Sequence, residues 1–187
     1  MSSQPPDPTP EWQPTLRGNG LTLRPIRVQD ADALYAAACD PLIWAQHSQR
    51  DRHERPVFEK YCAFLLSCGG GMVVVHEPGE RIIGATAFYD WTPQDPSVVI
   101  GYSFLSRDHW GRGTNREMKR LMLEHAFQWV HTVWFHVSPD NARSQKALER
   151  IGAALHERRQ VMVTGMPSER LIYRLRPGEF RSAPPLR

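Results

Sequence analysis

The order in which two hydrophobic periods alternate along the chain predicts an α/β fold: a mostly antiparallel sheet of about seven strands flanked by helices. Three observations carry this. Short segments with a period near two, or wholly apolar, follow one another through residues 72–105 with only turn-length connections between them, which reads as an antiparallel meander. A long stretch from Thr114 to Trp129 instead repeats its apolar residues every three to four positions, as a helix does. Hydrophobic residues make up 41% of the 187 and charged residues 23%, so the chain has enough apolar surface for one ordinary core.

Taken in order, Leu21-Thr22-Leu23-Arg24-Pro25-Ile26 alternates as a strand and stops at its proline. Asp30 is placed to cap a helix whose Ala31, Leu34, Tyr35 and Ala38 form a core-facing stripe, so Tyr35 is expected to pack. Pro56 suits the first position of a second helix, running through Phe58, Tyr61, Cys62 and Leu65 to glycines 69–71. Those glycines lead into a strand, not a helix, and so lack a dipole to offer a phosphate. Strands are expected over residues 72–76, 82–91 and 98–105, divided by turns rich in Gly, Pro and Asp.

In the helix from Thr114, the face Met118, Leu121, Met122, His125, Ala126 and Trp129 points inward; Arg116, Glu117, Arg120, Glu124 and Gln128 point out. His125 is therefore read as a packed residue, and no HExxH motif accompanies it. Residues 133–137 form a short strand, and a helix over 141–151 closes at Gly152. Two strands, 157–163 and 170–175, finish the domain.

Both ends are rich in Pro and Ser, so the organisation expected is a tail over residues 1–15, one domain over 16–176 and a tail over 177–187. The net charge of +3 is only mildly basic, and the run from Arg50 to Arg55 mixes signs, which reads as a solvated loop or helix start rather than a nucleic-acid stripe. Cys39, Cys62 and Cys68 have neither CxxC nor zinc spacing, so free thiols and no metal are expected. The amino terminus lacks a basic-then-apolar leader, and no stretch reaches the roughly 18 apolar residues of a membrane span. A cytoplasmic protein without a membrane partner is the expectation.

Between the strand ending at Leu105 and the helix from Thr114 lies Trp110-Gly111-Arg112-Gly113. A strand, a glycine loop and a helix start point backbone N–H groups and a helix dipole at an anion; a plain strained turn is the simpler alternative. The dinucleotide fingerprint GxGxxG would need glycine at position 116, where the chain has Arg116. The nucleotide loop GxxxxGK[ST] fails as well, since neither glycine precedes Lys and Ser or Thr.

Gly101-Tyr102-Ser103-Phe104-Leu105, then Trp110-Gly111-Arg112-Gly113-Thr114-Asn115, a long helix, a strand, and the segment Ser138-Pro139-Asp140-Asn141-Ala142-Arg143-Ser144 through Gly152 together resemble the GNAT acetyltransferases. The branch resembled is that of the ribosomal-protein alanine N-acetyltransferases, over roughly residues 15–176. The resemblance implies a GNAT acyl-CoA N-acyltransferase fold with its fourth and fifth strands splayed apart. It implies acetyl-CoA as cosubstrate, with Trp110, Gly111, Arg112, Gly113, Thr114 and Asn115 around the pyrophosphate, and Thr114 also capping its helix. Backbone groups of Phe104 and Leu105 would pair with the pantetheine arm, Asn141 would bind that arm, and Ser144 would stand near the sulfur as the proton donor to the leaving thiolate.

The partner implied is a primary amine, on a small molecule or a protein N-terminus, attacking the thioester directly; nucleic acid is disfavoured, and a monomer or homodimer is expected. Against the family pattern, the chain carries Val99 where many members have Glu, Leu148 where many have Tyr, Asp108 for Gln or Arg, and Asn115 for a small residue. Asp90 reads as an exposed turn residue, with contact to the amine through water as the alternative. Trp44, His47, Trp91 and Arg159 are candidates to line the acceptor cleft, with packing or surface as the stronger reading of each. A CoA-binding sensor with weak or no catalysis is the alternative function.

Overall fold

The structure, a computed structural model, describes residues 9–163 and 166–181. Eight strands form one sheet in the order β1-β2-β3-β4-β5-β6-β8-β7. They are β1 (Leu16–Gly18), β2 (Leu21–Pro25), β3 (Gly71–His76), β4 (Arg81–Thr92), β5 (Ser97–Leu105), β6 (Thr132–Val137), β7 (Ala154–Val163) and β8 (Met166–Leu175). The helices are α1 (Ala31–Ala38), α2 (Arg55–Ser67), α3 (Thr114–Ala126) and α4 (Ala142–Arg150). All neighbouring strands run antiparallel except β5 and β6, which are parallel.

The alternation of side chains along a strand decides which helices cover which face. On β3, Met72 and Val74 join the core beneath α3, with Met118, Met122 and Leu148; Val73 and Val75 join the core beneath α1 and α2, with Leu34, Phe58 and Leu65. A strand apolar on both faces is buried on both faces, and each such side chain contributes about 1.5–3 kcal/mol of burial. The sheet is thus a wall between two cores, and a gap in it opens onto both.

The fold class expected from sequence is the one observed. Counting differs by one because β1 is three residues long, too short to show a period. The expected fourth and fifth strands are therefore β5 and β6. Strands β7 and β8 begin earlier than expected, at Ala154 and Met166, and α3 ends at Ala126 instead of Trp129. Gly113, not Thr114, is the N-cap of α3. Of the segments expected as tails, Trp12 packs against Phe88 with ring centroids 5.1 Å apart, and Phe180 packs on the α3-side core.

Candidate functional site

Strands β5 and β6 pair only at Ser97–Thr132, Val98–Val133 and Val99–Trp134. Beyond these residues they diverge, and the edge of β5 from Gly101 to Leu105 is left without a partner strand on that side. An unpaired strand edge is a template for another extended chain. The side chains of Phe104 and Leu105 are core residues, one in each layer, while their backbones pair with Ala85 and Gly84 on the opposite edge.

A bulge re-aims this edge. Ala87 pairs with Gly101 and Ala85 with Phe104, so Thr86 alone faces Tyr102 and Ser103, and Tyr102 takes a left-handed φ of 52°. The hydroxyl of Tyr61 donates to the Tyr102 carbonyl at 2.5 Å, and the Tyr102 ring stacks on Phe64 at 4.1 Å, which holds the strained residue. A Cβ on Gly101 would lie 2.9 Å from the Tyr89 ring, so the close approach expected of a strand glycine is present.

The glycine loop sits at the mouth of this gap. The indole N–H of Trp110 donates to the carbonyl of Leu105 at 2.9 Å, tying the loop to the end of β5. Gly111 and Gly113 both take left-handed φ, 73° and 80°, and a Cβ on Gly111 would have no heavy atom within 4 Å. No side chain caps α3. The first N–H groups of a helix need partners, and here the space beside Gly111 is open and the cationic Arg112 next to it is exposed. That arrangement fits an anionic group. Thr114 and Asn115 are the first two residues of α3; Asn115 is exposed, and no contact explains it.

Asp108, by contrast, has a local explanation. It forms an ion pair with Arg81 and accepts from the Ser106 hydroxyl at 2.7 Å; the bond from Arg81 holds its carboxyl down to about 2. It braces the loop from outside.

Helix α4 starts beside the same loop: the guanidinium of Arg143 lies 3.8 Å from the Trp110 ring centroid, and its N–H donates to the Ile43 carbonyl at 3.0 Å. Asn141 is the N-cap of α4, and its side-chain oxygen accepts from the backbone N–H of Ser144 at 3.1 Å. Among the described residues its amide N–H groups have no partner, and Ser144 is half-buried in the first turn of the helix. Trp110 therefore joins three of the segments singled out in the sequence: the end of β5, the loop and the start of α4. Val99 and Leu148, both buried, are core residues with no acid-base capacity.

Several features around the gap were not legible in advance. Lys119, on the inner face of α3, is 6% exposed and forms no ion pair among the described residues. Its ammonium donates to the Ser103 hydroxyl at 2.8 Å, which in turn shares a hydrogen bond with Thr86 at 2.7 Å. Burial pulls its pKa from 10.5 down to about 7. The available signal was its position three and four residues before the buried Met122 and Leu123.

On the opposite face, the run from Arg50 to Arg55 is not wholly solvated, as its charges suggested: Arg52 is 5% exposed, with its guanidinium 4.6 Å from the Tyr61 ring centroid and 5.0 Å from that of Trp44. Arg170 of β8 is buried as well. A cavity of about 380 Å³ opens on this face, lined in part by His47, Ser48, Ser138 and Ser168. Of the four candidates for an acceptor cleft, His47 lines this cavity, and the others take the packing or surface places that were their alternative. Trp44 is core, Trp91 borders Trp12, and Arg159 pairs with Glu157 at the surface. Asp90 is exposed, with a φ of 50°. His136, in the splayed half of β6, sets its ring 6.2 Å from Tyr89, and burial lowers its pKa from 6.5.

Among the described residues, no group of three or more His, Cys, Asp or Glu could hold a metal, and no helix is long and apolar enough to cross a membrane. The family model for the acetyltransferase (GNAT) domain matches residues 20–154. A search of curated proteins found no match. Among solved structures, a GCN5-related N-acetyltransferase from Brucella melitensis is similar at a TM-score of 0.78 and 18% identity, over 96% of this chain and 85% of that one. Mycobacterium smegmatis RimJ in complex with CoA-disulfide is similar at 0.67 and 20%, over 91% and 89%. A GNAT-family acetyltransferase from Bacillus anthracis is similar at 0.67 and 14%, over 88% and 99%. At such identities the likeness is one of fold.

Proposed function

The chain belongs to the GNAT acetyltransferase family, and from that premise we propose that it moves an acetyl group from acetyl-CoA to a primary amine, of a small molecule or a protein N-terminus, within a complex of both substrates. The observation that carries this reading is the uncapped start of α3, with its two left-handed glycines, set at the mouth of the β5–β6 gap. A phosphate cradle leading directly to an unpaired strand edge suits a ligand with a pyrophosphate at one end and an amide-bearing arm behind it. That RimJ of the same fold holds a CoA disulfide supports the choice of ligand. The segment from Ser138 to Gly152 favours the branch of the ribosomal-protein alanine N-acetyltransferases.

In this reading Gly111, Arg112, Gly113, Thr114 and Asn115 bind the pyrophosphate with Trp110 behind them. The backbones of Phe104 and Leu105 and the amide of Asn141 hold the pantetheine arm. The amine nitrogen forms a bond to the thioester carbon, the carbon–sulfur bond breaks, and CoA leaves as a thiolate that takes a proton from Ser144. The amine must shed its own proton, since an ammonium has no lone pair. Val99 and Leu148 cannot take it. We assign that role to His136, in the splayed half of β6, whose pKa burial lowers from its ordinary value.

The test is release of free thiol from acetyl-CoA in the presence of a panel of amines and N-terminal peptides. Ser144→Ala is expected to lower kcat by roughly 10- to 100-fold with little change in the KM for acetyl-CoA, as removal of a proton donor does. Unchanged kcat would remove Ser144 from the mechanism. Tight acetyl-CoA binding with no thiol release to any amine would instead favour the sensor, the reading that the buried, apolar Val99 and Leu148 support.

A further inference from the structure

A buried ammonium reaches the two strands where they part. Nζ of Lys119, on the inner face of α3, donates to the Ser103 hydroxyl of β5 at 2.8 Å and lies 5.6 Å from the ring centroid of Phe135 on β6. Both residues lie beyond Val99–Trp134, the last pair that joins these strands. Both are neutral, and Lys119, 6% exposed, forms no ion pair among the described residues. An ammonium taken out of water without a counter-ion opposes folding, and an apolar side chain of the same length would pack there without that penalty.

The direction of the hydrogen bonds sets what Ser103 can do. An ammonium only donates, so the Ser103 oxygen accepts from it. The contact between the Ser103 and Thr86 hydroxyls, at 2.7 Å, can run either way. Thr86 is fully buried, whereas Ser103 is exposed on the edge of β5 that lacks a partner strand. With Thr86 donating, Ser103 accepts two bonds and keeps its own proton; the Gly101 carbonyl, at 3.3 Å, lies beyond the usual O–H···O range of about 2.5–3.0 Å. The result is a hydroxyl held from behind by a cation, with its proton left for a group in the gap. A donor polarised in this way is stronger than a neutral one.

Position along β5 selects that group. An arm that leaves a pyrophosphate at the glycine loop and follows Leu105 and then Phe104 arrives next at Ser103, in the bulge, since successive strand residues are about 3.3 Å apart. We infer that the Ser103 hydroxyl, polarised by the Lys119 ammonium behind it, donates to the carbonyl oxygen of the bound thioester and holds the negative charge that gathers there when the amine attacks. The inference rests on the acetyl-CoA reading of the gap. As the amine nitrogen bonds to the carbonyl carbon, the carbonyl electron pair moves on to the oxygen; Ser103 donates to that oxyanion without giving up its proton, and the pair returns as the carbon–sulfur bond breaks. Ser103 is then a catalytic residue and Lys119, which acts through it, a positioning residue. Ser144 keeps its separate task at the sulfur.

The experiment is infrared difference spectroscopy of the full chain with acetyl-CoA isotopically labelled at the thioester carbonyl, which reads the bond to that oxygen without any acceptor, alongside titration and thiol release. The carbonyl band is expected at lower frequency in the bound than in the free thioester; the shift should vanish in Ser103→Ala, persist in Ser103→Thr, which keeps the hydroxyl, and shrink in Lys119→Met. In thiol release, Ser103→Ala is expected to lower kcat roughly 100-fold with the KM for acetyl-CoA within about twofold, as loss of one oxyanion donor does. Lys119→Met is expected to lower kcat roughly tenfold at pH 6 and to match the wild type by pH 9, because the ammonium loses its proton near pH 7 in the folded chain. A wild-type to variant ratio that is constant with pH removes Lys119 from the proposal. An unshifted band, a shift that survives in Ser103→Ala, or an unchanged kcat in that variant overturns it, and thiol release by the wild type then leaves the transferase reading standing. A shift that depends on Ser103, without thiol release to any amine, supports it and removes the transferase reading. No binding of acetyl-CoA overturns both.

Discussion

Gly111→Ala is expected to weaken acetyl-CoA binding by roughly 10- to 100-fold, whereas Gly79→Ala, which imposes the same backbone strain elsewhere, is expected to leave binding unchanged. The pair is matched. Gly111 has a φ of 73° and Gly79 a φ of 85°, and in neither case would a Cβ meet a heavy atom within 4 Å. Each substitution therefore costs only the left-handed penalty for an L residue, about 1–2 kcal/mol, and the two variants should unfold at similar temperatures. What differs is the surroundings. Gly79 lies in the turn between β3 and β4, and Gly111 lies in the loop directly before the uncapped α3. A methyl group there stands where a phosphate oxygen must approach, and loss of one charge-assisted hydrogen bond, about 1.5–3 kcal/mol, gives that range of affinity. Equal affinities for the two variants, measured by titration, would detach the loop from the ligand.

Lys119→Met is expected to stabilise the protein at and below neutral pH, and the advantage is expected to vanish in alkali. Burial lowers the ammonium pKa from 10.5 to about 7 in the folded chain. Between those values the unfolded chain binds the proton and the folded chain does not, so folding stability rises with pH across this window. Below pH 7 both states carry the proton and the folded state bears the full penalty. At about 1.4 kcal/mol per unit this is roughly 5 kcal/mol. Methionine has a similar shape and no charge, so the variant lacks the penalty. Denaturant unfolding at pH 6 and pH 10 checks it: the variant should be more stable at the first and equal to the wild type, or weaker by the lost bond to Ser103, at the second. Parallel pH profiles would mean that Lys119 keeps its charge through contact with water.

The same residue illustrates how far the sequence could be read. The apolar stripe of α3 was legible because Met118, Leu121, Met122 and Ala126 repeat with the helical period. Lys119 lies on the edge of that stripe, and nothing local distinguishes a lysine that snorkels to water from one that ends against a serine on a neighbouring strand. Arg52 is a similar case, since its neighbours are charged and its burial comes from Trp44 and Tyr61, brought in by the tertiary fold. The glycine loop was legible as an anion cradle because the dihedral angles that it needs are those that glycine allows. Thr114 was misplaced by one position, because Gly113 supplies the left-handed entry that a side-chain cap would otherwise shape. The early starts of β7 and β8 were hidden for another reason: Pro167 interrupts the strand pattern, and Leu155, 49% exposed, has no buried face to mark a period. Their extent is set by pairing with each other, from Ala154–Arg174 to Val163–Met166.

The central claim is that the β5–β6 gap and its glycine loop bind acetyl-CoA, and thermal unfolding of the wild-type protein over a range of acetyl-CoA concentrations tests it most directly. A ligand bound only by the folded state stabilises it by about 2.7 kcal/mol at a hundred times its Kd, so the midpoint should climb steadily with acetyl-CoA and far less with ATP or NADH at equal concentration. A midpoint that does not move with acetyl-CoA, or that moves equally with all three, would contradict it.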